Sequence, residues 1–125
     1  MVMKWEVLFH DEFDAEFWLL AEGLQDELLA HALLLQEFGP NLGRPTVDTL
    51  SGSRHANMKE LRFAADGGEW RVAFAFDPRR FAIVLVAGDK SGGSEKRFYK
   101  QLIKKADKRF TTHCERLKTA VKERK

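Results

Sequence analysis

The chain has 125 residues, 44% of them apolar and 32% charged, with ten Phe and three Trp, which is enough bulk for one core and excludes both two full domains and wholesale disorder. A single cysteine, Cys114, excludes an internal disulfide and a cysteine zinc site, and no apolar run reaches membrane-spanning length. Residues 1–50 carry a net charge of −8 and residues 51–125 a net charge of +10, so an acidic front precedes a basic back that would attract a polyanion or would simply be solvated.

Residues 3–9 alternate, with Trp5, Val7 and Phe9 on one side, and predict a first strand. Asp11 opens an acidic helical segment with Phe13, Phe17, Leu20 and Leu24 at helical spacing. Gly23 is expected to divide it, and the second helix runs over about 24–38, with Leu28, Ala32 and Leu35 on one stripe, until Gly39-Pro40 stops it. Residues 39–56 hold seven Gly, Pro or Ser punctuators and read as a long loop. Three strands follow, 57–64, 69–76 and 81–87, joined by Asp66-Gly67-Gly68 and Asp77-Pro78-Arg79-Arg80, which predicts an antiparallel meander. A last helix begins at the N-cap Ser94, with Phe98, Leu102, Ala106, Phe110, Leu117 and Val121 on one stripe. From Lys96 to Lys125 it carries twelve basic and three acidic residues, as a helix facing nucleic acid or an acidic protein would. The whole predicts one α+β domain over residues 1–125: a meander packed against an N-terminal αα-hairpin, with a basic C-terminal helix.

Alternation assigns Trp70, Val72, Phe74 and Phe76 to the core face and Arg71, Ala73, Ala75 and Asp77 to the other. Leu61 and Phe63 join the bulky set, which leaves Arg62 on the open side. Phe81, Ile83 and Leu85 are matched to the bulky set, with Val84, Val86, Gly88 and Lys90 opposite unless a bulge intervenes. Arg62, Arg71 and Lys90 then converge over a floor of Ala73, Ala75 and Gly88, a place for an anion unless each cation pairs with an acid such as Glu60 or Glu69. Gly88-Asp-Lys-Ser-Gly-Gly lacks the glycine spacing of a phosphate loop, the four histidines lack metal-ligand spacing, and no Gly-x-Ser-x-Gly elbow occurs. His55 is the one histidine in the long loop, where it is a base candidate or a plain surface residue.

Several strings carry a family resemblance: Leu50-Ser-Gly-Ser-Arg-His, Met58-Lys-Glu-Leu-Arg-Phe, Glu69-Trp-Arg-Val-Ala-Phe-Ala-Phe-Asp, Val86-Ala-Gly-Asp-Lys, Glu95-Lys-Arg-Phe-Tyr and Ile103-Lys-Lys-Ala. Together they resemble the RelE/ParE superfamily of bacterial type II toxins, in its phage-derived, HigB-like branch. The resemblance implies a RelE-like fold and a cytoplasmic, ribosome-dependent mRNA endoribonuclease that needs no cofactor or metal and inhibits translation. It also implies a cognate helix-turn-helix antitoxin, mRNA and the ribosome as partners, and no membrane. The alternative within the superfamily is a ParE-like, non-enzymatic poison of DNA gyrase. By position the resemblance carries family roles onto Arg62, Arg71 and Lys90, and further onto Lys96 and Tyr99; the expected catalytic set is Arg62, Arg71, Lys90 and Lys96, and the expected RNA-binding set is Arg54, His55, Lys59, Tyr99, Lys100 and Lys104. Branches that use histidines or an aspartate–tyrosine–histidine cluster differ from this chain, whose corresponding stretch is Gly88-Asp-Lys-Ser. The antitoxin is expected on the basic sheet face or the terminal helix, since both attract acid.

Overall fold

The computed structural model describes residues 5–123, in which a five-stranded sheet lies between two helical layers. The chain runs β1 (Glu6–Phe9), α1 (Asp11–Phe17), α2 (Glu22–Phe38), a 3-10 turn (Gly39–Asn41), β2 (Val47–Thr49), β3 (Lys59–Ala65), β4 (Gly68–Phe76), β5 (Phe81–Asp89) and α3 (Glu95–Glu123). Strand order is β1-β5-β4-β3-β2. The meander is antiparallel, as expected, while β1 pairs with β5 in parallel at one edge. Met3 and Lys4 of the expected first strand lie outside the described residues.

Local chemistry sets the element ends. The His10 ring accepts a hydrogen bond from the Glu12 N–H at 3.2 Å, and Asp11, Glu12 and Asp14 place negative charge at the positive end of α1. Asp66 and Gly67 have φ of 50° and 75°, the left-handed pair that a two-residue hairpin turn requires between β3 and β4. The Asp77 carboxylate accepts the Arg79 and Phe81 N–H groups at 2.9 and 3.1 Å and closes the β4–β5 turn.

One core lies under α1 and α2, built from Phe13, Phe17, Leu24, Leu28, Leu35, Leu61, Phe63, Val72, Phe74 and Val84. Trp70 and Phe76 pack against it, so Trp70 and Arg71 lie on opposite faces, as alternation predicts. A second core lies under α3, where Ala73, Ala75, Ile83, Leu85 and Val86 meet Leu102, Ala106 and Phe110. The face expected to be open is therefore covered by the terminal helix, because the apolar stripe of α3 needs a partner and the alanines leave room for it.

Three further expectations are corrected. Gly23 does not divide the N-terminal helical segment: it lies inside α2, and the break falls at 18–21. The 39–56 segment is not all loop: Val47–Thr49 pairs with β3 and forms the far edge of the sheet. The face assignment of β5 holds for Val86 and Gly88 only. A bulge at Leu85 puts one extra residue between the Phe74–Val84 and Ala73–Val86 pairs, so Val84 faces α1 and α2 while Ile83 and Leu85 face α3.

Candidate nucleic-acid interface

Arg62, Arg71 and Gly88 form one row across β3, β4 and β5 on the α3 side of the sheet. At the end of the row Gly88 sits under Phe98, and a Cβ there would stand 2.9 Å from the ring. This contact seats the first turns of α3 on the sheet and sets where Tyr99 falls.

Tyr99 closes over Arg71. The Arg71 Nε donates to the Tyr99 hydroxyl at 3.3 Å and one Nη to the Trp70 carbonyl at 2.9 Å. The Tyr99 O–H donates in turn to Glu60 at 2.9 Å. Arg71 also lies 3.9 Å from Glu60 and 3.8 Å from Glu69, with only 6% of its side chain exposed. Burial raises the Glu60 carboxyl above its ordinary value, against the opposing pull of the Tyr99 hydrogen bond and the Arg71 charge. Burial, with the hydrogen bond to Glu60, also pushes the Tyr99 hydroxyl up.

The other expected site residues are spread over the same side with one exception. Arg62 is half-buried and lies 3.8 Å from Asp48. The Lys90 N–H donates to the Glu69 carbonyl at 2.6 Å, and its Nζ donates to Glu95 at 3.0 Å, at the start of α3. His55 is held by Thr111 at 2.9 Å and stands edge-on to Phe110, while Ser53 and the Arg54 N–H both bind Asp107. The loop carrying Arg54 and His55 is thus fastened to the middle of α3, with the Arg54 side chain exposed. Lys59 pairs with Phe74 and so faces the α1 and α2 layer, away from Arg62 and Arg71.

Lys96, Lys100 and Lys104 are all exposed and line up one turn apart on α3. With Ser94, Arg97 and Gln101 they line a groove of about 500 Å³. A second groove of about 410 Å³ continues it through Gln101, Lys104, Lys105 and Lys108 to Glu12 and Arg109. Arg97, Lys105 and Lys108 extend the ridge beyond the named candidates, and the run of basic residues in the sequence was the signal for them. Among the described residues no three His, Cys, Asp or Glu side chains stand together as a metal site would require.

Two polar clusters had no sequence signal. Arg109 is buried and donates to both Glu16 oxygens, at 2.9 and 2.6 Å, and to the Leu85 carbonyl at 2.7 Å. That carbonyl belongs to the bulged residue, so Arg109 satisfies a group that the strand ladder leaves over. The Asp77 carboxylate takes the Arg79 guanidinium at 2.8 Å and the His113 ring at 2.9 Å. Burial alone would raise this carboxyl, but those hydrogen bonds and two backbone N–H groups hold it below its ordinary value.

The model of the phage-derived protein Gp49-like family matches residues 15–111. Two Mycobacterium tuberculosis proteins that carry the toxin names HigB2 and HigB3 are similar in sequence. HigB2 is 53% identical over 81 residues, which cover 64% of this chain and 40% of HigB2. HigB3 is 53% identical over 76 residues, which cover 61% of this chain and 64% of HigB3. Each match thus spans less than two thirds of the relative's own length. Among solved structures, a double arginine-to-alanine mutant of E. coli toxin RelE in the free state matches with a TM-score of 0.61 at 14% identity, over 86% of this chain and 98% of that one. At that identity the likeness is one of fold.

Proposed function

The chain belongs to the phage-derived Gp49-like family, and from that membership we propose that it is the toxin of a type II toxin–antitoxin pair, a single domain that cleaves mRNA on the ribosome and halts translation. The observation that carries the reading is the exposed basic ridge of α3, continuous from Ser94 to Lys108 and adjoining the sheet row that ends at Gly88. Lys96, Lys100 and Lys104 hold the RNA backbone, where cations displace the counterions that phosphates otherwise keep. RNA supplies its own nucleophile, the 2′-OH, so the protein has to move protons and stabilise charge on the phosphorane. Arg62 stabilises that charge. Once RNA displaces Glu95 from it, Lys90 donates its ammonium proton to the 5′-oxygen leaving group, while the 2′-OH proton passes to water. Arg71 acts through Tyr99, as a positioning residue that fixes the hydroxyl at the foot of α3. The cytoplasm, where ribosomes are, is the site of action. The partner is a helix-turn-helix antitoxin whose acidic surface covers the ridge.

Primer extension on mRNA after induction, with and without purified ribosomes, tests this. New 5′ ends that appear only with ribosomes and vanish in Lys90→Ala are the expected result. A second reading, a ParE-like gyrase poison, draws on the burial of Arg71 and on the ion pairs that engage Arg62 and Lys90. Growth arrest with intact mRNA and lost supercoiling activity would select it.

A further inference from the structure

The sheet has two edges, and they are finished differently. At the far edge, β2 is three residues long, and its Asp48 is engaged by Arg44 at 3.2 Å and Arg62 at 3.8 Å. Short length and charge are the usual protections of a strand edge. The near edge, β1, is also short, at four residues, but its one charge, the exposed Glu6, is engaged by no ion pair among the described residues. The His10 N–H donates to the Val84 carbonyl, so by alternation the N–H and C=O groups of Val7 and Phe9 point away from β5. Among the described residues β1 pairs with no other strand.

Alongside that edge runs a groove of about 570 Å³, lined by Val7, Leu8, Phe9, Leu29 and Leu33 among others. Leu33 is 63% exposed, Leu29 47% and Leu8 40%. Leu29 and Leu33 form the apolar middle of an α2 stripe that starts at Asp26 and ends at Glu37, both exposed acids. Asp14 lines the groove, and Glu6 is exposed on β1 itself. An apolar trough beside unpaired strand groups, bordered by acids, is a recognition surface rather than a solvated face.

We propose that this groove takes an extended segment of another protein that adds to β1 as a sixth strand, its apolar side chains facing Leu29 and Leu33 and its lysines or arginines meeting Asp14, Asp26 and Glu37. The extended form follows from the unpaired groups of Val7 and Phe9, and the basic character follows from the acidic border. The site lies across the sheet from the α3 ridge and is independent of whether the chain cleaves RNA. A basic partner can hold it while the ridge engages a polyanion.

The test uses the purified full chain and a fluorescein-labelled peptide that alternates leucine with lysine. Controls are a peptide of the same composition with the leucines grouped and one with glutamate in place of lysine. The alternating peptide is expected to bind, the two controls are not, and Leu33→Lys is expected to weaken binding roughly tenfold or more. Leu33 is largely exposed, so this variant keeps its fold, which thermal melting verifies. Hydrogen exchange at the Val7 and Phe9 amides is expected to slow when the peptide is bound. Equal binding to Leu33→Lys, equal binding of the grouped or acidic peptide, or unchanged exchange at those amides each overturns the proposal. Sedimentation decides against it too if the free chain is a dimer that Leu33→Lys dissociates, since the groove would then hold a second copy.

Discussion

Arg71 lies beneath Tyr99 with 6% of its side chain exposed, and Glu60, 3.9 Å away, has 7%. Seen from the sequence alone, Arg71 points away from the bulky core and its loss costs little stability. The second core changes that expectation, because removing one partner of a buried pair strands the other. Arg71→Ala is expected to cost about 3–5 kcal/mol in urea unfolding, and the double variant with Glu60→Gln to recover part of that. The two buried carboxyls bend the pH profile in opposite directions. Glu60 is raised, so its contribution is present in full below its ordinary value of 4.5 and is lost as pH rises through the lifted folded value. Asp77 is lowered, so its contribution is present above its ordinary value of 3.8 and is lost as pH falls through the depressed folded value. Melting temperature against pH is thus expected to lose its decline above about pH 4.5 in Glu60→Gln and its acid-side fall in Asp77→Asn.

At the scale of elements, two of the contacts that fix the terminal helix to the sheet fall on β5. Arg109 joins Glu16 of α1 to the bulge carbonyl of β5, and Phe98 rests on Gly88. Arg109→Met keeps the stem but leaves the Leu85 carbonyl and Glu16 unpaired, an expected loss of about 3 kcal/mol by denaturant titration. Gly88→Ala drives a methyl into the Phe98 ring and is expected to cost about 1–3 kcal/mol, with faster amide exchange in the first turns of α3. Much of this architecture was legible. The two-residue period gave β3 and β4 with the right faces, and the helical stripes gave α1, α2 and α3. The bulge was not legible, because an extra residue in a strand buried on both faces leaves the apolar run unbroken. Its consequence was the wrong side for Phe81, Ile83, Val84 and Leu85. Val47–Thr49 was hidden because three residues among Pro and Gly carry too little pattern. The cover over Arg71 was hidden for a different reason: the apolar stripe of α3 was plain, but nothing local says which sheet face it seeks. Of the candidate site, the row of Arg62 and Arg71 followed from alternation, and the Arg109 and Asp77 clusters join residues too far apart in the chain to be paired by inspection.

Across the whole molecule, RNA binding on the ridge is expected to weaken with salt, and the slope counts the cations that touch phosphate. Lys100→Ala and Lys104→Ala are each expected to reduce the slope of log K against log salt for single-stranded RNA by about 0.7, read by fluorescence anisotropy. Both residues are exposed, so stability is expected to stay within about 0.5 kcal/mol of the parent. The sheet also stands between the acidic α1 and α2 layer and the basic α3 layer, which makes the protein an electric dipole directed across the strands. A dipole near a polyanion is turned before it is bound. The molecule therefore arrives with α3 leading and the helical hairpin trailing, so fewer of its collisions are wasted in the wrong orientation. That gain lasts only while the field reaches beyond the surface, a distance that salt shortens to about 8 Å at physiological strength.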